Sequence, residues 1–106
     1  MRESKRYLLA QIHGPTVDDR MAKHLAYEAV FQLLGEAGAA EAGFQFKEFN
    51  PDGQGIIVKC RTAGLEKVIA ALAAKRRWKG GDVAIRLVRV SGAISALPGA
   101  GPGKRK

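Results

Sequence analysis

A chain of 106 residues makes one domain the expectation, and its 46% hydrophobic content allows a modest core. Lys and Arg number 18 against 10 Asp and Glu, and the net charge of +8 favours an anionic partner, nucleic acid foremost. One cysteine, Cys60, excludes an internal disulfide. No Cys/His cluster has metal-ligand spacing, and no apolar run reaches the length of a membrane span. The first residues, Met1-Arg2-Glu3-Ser4-Lys5-Arg6, precede no apolar secretion signal, so a cytoplasmic, reducing location is the expectation.

Tyr7–Ile12 reads as the first strand, with Leu8, Ala10 and Ile12 on one face and Tyr7, Leu9 and Gln11 on the other. Lys5, Arg6 and Tyr7 place two cations and an aromatic at its start, a set able to hold a phosphate and stack a base, or simply to solvate a strand end. Gly14-Pro15 ends it. Thr16 is placed to cap a helix running to Leu34 and stopping at Gly35, with Asp18 and Asp19 in its first turn. Its main apolar face is Ala22, Leu25, Ala26, Ala29, Val30 and Leu33. A second stripe, Tyr27, Phe31 and Leu34, lies well round the helix and suits either a protein partner or a cover made by the C-terminal segment. The small, Ala-rich stretch from Gly35 to Gly43 reads as irregular or a single turn.

Phe44–Phe49 is the second strand, with Phe44 and Phe46 inward and Gln45, Lys47 and Phe49 opposite. Asn50-Pro51-Asp52-Gly53 is a turn, with Gly53 the residue suited to positive φ. It leads into Gly55-Ile56-Ile57-Val58-Lys59-Cys60-Arg61, the strand around which the chain is organised. Ile56, Val58 and Cys60 line the core there, and Lys59 and Arg61 lie on the other face beside Ile57. Thr62 then caps a second helix through Arg77, built on Leu65, Val68, Ile69 and Leu72. Lys75, Arg76, Arg77 and Lys79 surround Trp78. Capping of the helix C-terminus explains some of these cations, and an RNA contact would use them all. Val83–Val90 is the last strand, with Arg86 outward and a bulge expected at Arg89-Val90. Residues 1–97 form the domain, and 98–106 read as a flexible basic tail.

The order β-α-β-β-α-β predicts an α+β, ferredoxin-like sandwich: a four-stranded antiparallel sheet with both helices on one face and the first and third strands central. Lys47, Lys59, Arg61 and Arg86 then point to an open sheet face. RNA-recognition domains of this topology carry paired aromatics there, but this chain has Ile57 and Lys59, so backbone contact fits better than base stacking.

Lys5-Arg6-Tyr7-Leu8-Leu9, Leu34-Gly35-Glu36-Ala37-Gly38-Ala39-Ala40, Gly55–Arg61 and Val90-Ser91-Gly92-Ala93-Ile94, in that order, resemble the ribonuclease P protein component 2 family of archaeal ribonuclease P and eukaryotic ribonuclease P and MRP. The likeness spans residues 5–95. Ala93 and Ser95 depart from it, since the family usually has Thr and Arg flanking the isoleucine there. The resemblance implies an RNA-binding subunit that supports the catalytic RNA in removing 5′ leaders from precursor tRNA, with no cofactor bound by the chain itself and Mg ions acting with the RNA. It implies as partners the ribonuclease P RNA, a barrel-fold protein subunit and a second copy, as a homodimer within a two-plus-two assembly, and no membrane.

The residues themselves show no acid/base pair, nucleophile triad or metal cluster, in agreement with a chain that is not catalytic by itself. The expected RNA contacts are Lys5, Arg6, Tyr7, Lys47, Lys59, Arg61, Lys75, Arg76, Arg77, Lys79, Arg86 and Arg89, and the expected protein interface is Tyr27, Phe31 and Leu34. Two alternatives stay open: a generic RNA- or ribosome-associated module of the same fold, and a small-molecule-binding regulatory domain that oligomerises.

Overall fold

The computed structural model describes residues 4–93 and Leu97. Its elements are β1 (Lys5–His13), α1 (Asp19–Ala42), β2 (Gln45–Asn50), β3 (Gly55–Arg61), a 3-10 turn (Thr62–Gly64), α2 (Leu65–Ala74), β4 (Arg77–Trp78), β5 (Gly81–Asp82) and β6 (Ala84–Ser91). The four long strands form an antiparallel sheet ordered β2-β3-β1-β6, as the ferredoxin-like expectation requires. β4 and β5 form a small separate hairpin that the sequence reading did not separate from the second helix. It turns at Lys79 and Gly80, both at positive φ, the geometry that matches the twist of a two-residue hairpin. The expected tail, 98–106, lies outside the described residues.

Leu8, Ala10 and Ile12 of β1 meet Ile56, Val58 and Cys60 of β3 in one buried cluster with the faces of both helices. Several of these side chains are fully buried, and each large one contributes about 1.5–3 kcal/mol. Helix α1 supplies Ala22, Leu25, Ala26, Ala29 and Val30, as its spacing predicts. Leu33 does not join them. It is 53% exposed, over a groove shared with Gly38, Ala63 and Lys67 at the end of α2.

Several local expectations change. Asp18, not Thr16, caps α1, its carboxylate accepting from Met21 N–H at 2.8 Å. Gly35 interrupts α1 at φ 74° but does not end it: the Ala-rich stretch resumes as helix and stops at Gly43, whose left-handed conformation turns its N–H back onto the last carbonyls. Thr62 opens the 3-10 turn and makes no side-chain cap, and α2 ends at Ala74, three residues before Arg77. In the β2–β3 turn it is Gln54, not Gly53, that takes positive φ (52°). Its side chain stabilises that conformation by accepting from Val17 N–H at 2.7 Å and donating to Val17 C=O at 3.1 Å.

Two bulges set which residues reach which face. In β2 the register shifts between Phe46 and Glu48, making Lys47 the extra residue. Phe49 therefore packs inward with Phe46 against the core, contrary to simple alternation. In β6 Leu9 opposes Arg89 and Ala10 opposes Leu87, so the extra residue is Val88, just before the expected position. The shift carries Arg89 to the sheet face away from the helices and returns Val90 to the core side.

Candidate nucleic-acid interface

The sheet face opposite the helices carries Lys5 against Arg61, Tyr7 between Lys59 and Ser91, Leu9 between Ile57 and Arg89, and Gln11 between Gly55 and Arg86. Side chains alternate along a strand, so these cross-strand neighbours share one face. The sequence predicts an open face here, but its centre is covered. Leu97 is fully buried on it against Leu9 and Ile57, with Tyr7 packed beside them. Tyr7 is thus partly spent on apolar packing.

Beyond that apolar centre, where β1 begins and β3 ends, the cations converge. Ser4, Lys5, Gly43, Gln45, Lys59, Cys60 and Arg61 line a surface notch of about 210 Å³, large enough for a phosphate-sized anion. The ammonium groups of Lys5 and Lys59 have no hydrogen-bond or ion-pair partner among the described residues. Arg61 is positioned differently. Its Nη1 donates to the carbonyls of Ala40, at 3.3 Å, and Glu41, at the C-terminus of α1, where the helix dipole favours a cation. Gly43 makes room for it, since a Cβ there would lie 3.1 Å from Arg61 Cγ. Burial pushes the Cys60 thiol above its ordinary pKa, so it stays neutral and does not offset the positive charge. Fixed positive charge, with no carboxylate among the described lining residues, suits an oxyanion. Among the described residues no group of His, Cys, Asp and Glu is placed to hold a metal ion. No helix among them is long and apolar enough to cross a membrane.

A family model for the Rpp14/Pop5 family matches residues 6–99. The chain is 32% identical over 101 residues to ribonuclease P protein component 2 of Pyrococcus abyssi, covering 92% of this chain and 83% of that protein. The chain belongs to the Rpp14/Pop5 family. The component 2 proteins of Methanoculleus marisnigri and Methanosphaerula palustris are each 34% identical, again over 92% of this chain. The chain spans 61% of the length of those two relatives. In fold it is similar to a chain of a yeast ribonuclease MRP structure, with a TM-score of 0.74 at 11% identity, covering 99% of this chain and 86% of that one.

Other cations proposed from the sequence lie apart from the notch of this Rpp14/Pop5 protein. Arg6 occupies the helix-side register opposite Cys60, and its Nη1 donates to the Lys5 carbonyl at 2.8 Å, so alternation divides it from Lys5 and Tyr7. Lys75 corrects the sequence reading outright. It is 6% exposed, and its Nζ donates to Glu28 Oε2 at 2.6 Å and Gln32 Oε1 at 2.9 Å, clamping the end of α2 to α1. Buried and paired, it has no surface to offer RNA. Trp78 is core, with Lys79 Nζ 5.3 Å from its ring, so no base can stack there. Arg76 is exposed, and Arg77 is exposed but paired with Asp82 at 3.2 Å. Lys47 is exposed on the β2 bulge at the far edge, and Arg86 lies toward the opposite end of the face from Lys5.

The helix stripe divides as well. Tyr27 stacks edge-on against Phe44 at 5.1 Å, its hydroxyl accepts from Phe46 N–H at 3.2 Å, and Leu34 packs on the core. Phe31 alone of the three is exposed, at 42%, in a shallow recess with His24, Tyr27 and Gln32. At the Ser-Gly turn, Ala93 N–H donates to Ser91 Oγ at 3.1 Å, and Ser95 lies outside the described residues. Sequence reasoning missed Ser4, Gly43 and Gln45 in the notch and Leu97 on the sheet. Only Gly43 had a signal, as the glycine that closes an Ala-rich helical run.

Proposed function

We propose that this chain is an RNA-binding protein subunit of ribonuclease P, supporting a catalytic RNA in removing 5′ leaders from precursor tRNA. The reading is carried by its family membership across residues 6–99, together with relatives named ribonuclease P protein component 2. The notch adds a physical route. Lys5 and Lys59, with Arg61 held by helix carbonyls, would take backbone phosphates of the RNA, and Arg89 would extend the contact along the sheet. The chemistry belongs to the RNA and its Mg ions, and this chain binds and orients. Phe31, the exposed aromatic of the helix stripe, would anchor a protein partner, a barrel-fold subunit or a second copy in a two-plus-two assembly.

The test is a salt titration of binding to ribonuclease P RNA and to an unrelated structured RNA of equal length. The subunit reading expects tighter binding to ribonuclease P RNA at every salt concentration. Equal affinity for both would favour a generic RNA-binding module of the same fold.

A further inference from the structure

Strand β6 lies at the edge of the sheet. One side pairs with β1, and no described element pairs with the other. An edge of this kind presents a row of backbone donors and acceptors to any chain that can match it. Beside it runs a groove of about 810 Å³, between the end of α2, the β4–β5 hairpin and β6. Ala73, Val83 and Leu87 give the groove an apolar floor, and Arg76, Arg77 and Arg86 stand along its rim. Its one lining carboxylate, Asp82, is bound to Arg77, while Arg76 and Arg86 have no side-chain partner among the described residues. Leu87 is 41% and Val88 58% exposed.

We propose that the outer edge of β6 receives an extended peptide strand whose side chains alternate between apolar and acidic. A strand added there would pair with Ala84–Leu87, because the bulge at Val88 ends the regular ladder. Its helix-side residues would enter the apolar floor, and those on the other side would meet Arg86. Charge decides between this occupant and the others. A second copy pairing β6 with β6 would set Arg86 and Arg89 of each chain against cations, which is unfavourable. RNA would satisfy the arginines but leave the edge backbone and Leu87 without partners. This surface lies away from the Lys5–Lys59 notch and does not depend on it.

The probe is a short labelled peptide alternating valine and glutamate, with a valine–lysine peptide and oligouridylate as comparisons, added to the full chain. Binding is read by fluorescence anisotropy and the site by amide hydrogen exchange. The valine–glutamate peptide is expected to bind and to slow exchange at Ala84–Leu87, while the valine–lysine peptide does neither. Arg76→Glu with Arg86→Glu, in protein shown by its melt to be folded, should weaken that binding about tenfold or more, as loss of complementary charge does. A proline at the centre of the peptide, which removes an edge hydrogen bond, should weaken it as well. Absence of binding, protection elsewhere, or indifference to both changes overturns the proposal. So does protection of Ala84–Leu87 by oligouridylate alone, which makes the groove an RNA surface, or by self-association, which makes it a homotypic one.

Discussion

Replacing Lys75 with alanine separates a structural cation from a nucleic-acid contact. Its side chain is 4% exposed, and its ammonium bridges Glu28 and Gln32 on α1. Truncating one partner of a fully buried ion pair costs about 3–5 kcal/mol. Here the Glu28 side chain is 45% exposed, so water can solvate the orphaned carboxylate and most of that penalty disappears. The lost stem burial, about 0.8 kcal/mol per methylene, is partly offset by about 1.5–2 kcal/mol of side-chain entropy no longer surrendered. The balance is a destabilisation of about 1–3 kcal/mol. For a domain of this size each kcal/mol moves Tm by about 4–8 °C, so a fall of about 10 °C is expected. Lys75→Met keeps the stem and should recover about half, following the buried-methylene contribution. Thermal melts by circular dichroism measure both, and the same proteins can be titrated against ribonuclease P RNA in salt. The slope of log K against log salt should be unchanged in both variants. An unaltered melt with a slope reduced by about one would show that Lys75 meets a phosphate and that the clamp reasoning is wrong.

Lys5→Ala with Lys59→Ala should reduce that slope by about two units with little effect on the melt, because neither ammonium has a partner among the described residues. A slope within error of wild type would put the RNA elsewhere. Leu97→Ala should cost about 2–4 kcal/mol by urea denaturation, since the side chain is fully buried on the sheet; a loss under about 0.5 kcal/mol would mean that the contact is not kept in solution. Phe31→Ala should change unfolding by no more than about 1 kcal/mol, given its 42% exposure, yet weaken binding to a barrel-fold partner by about 1–2 kcal/mol in calorimetric titration. A melt lowered by several kcal/mol with partner affinity intact would make it ordinary core.

The sheet was legible in sequence because its strands are short, apolar and alternating, and β3 occupies Gly55–Arg61, the boundaries expected from sequence. What alternation could not show was the effect of the two inserted residues. A single extra residue reverses every later side chain, and so Phe49 changed faces, while the bulge expected in the last strand fell one residue earlier, at Val88. Helix ends were the other failure. Basic residues after an apolar run look like a helix C-terminus, but Lys75 leaves the helix at ψ 112° to reach Glu28, a partner 47 positions earlier. Such a bond is tertiary and has no local signature. The notch was half visible for the same reason: Lys59 and Arg61 share a face by spacing, and Lys5 joins them only through the strand register. Leu97 sits in a segment too rich in Pro, Gly and Ala to suggest burial, and its seat between Leu9 and Ile57 exists only once the sheet is built.

The central claim is that this chain is a working subunit of ribonuclease P, and reconstitution tests it most directly. Precursor tRNA cleavage is measured with the cognate ribonuclease P RNA, Mg ions and the remaining protein subunits, with this chain present, absent, or carrying Lys5→Ala and Lys59→Ala. The complete mixture is expected to remove the 5′ leader at low Mg, omission of the chain to depress cleavage, and the double variant to restore it only in part. Cleavage equally fast without the chain would contradict the account.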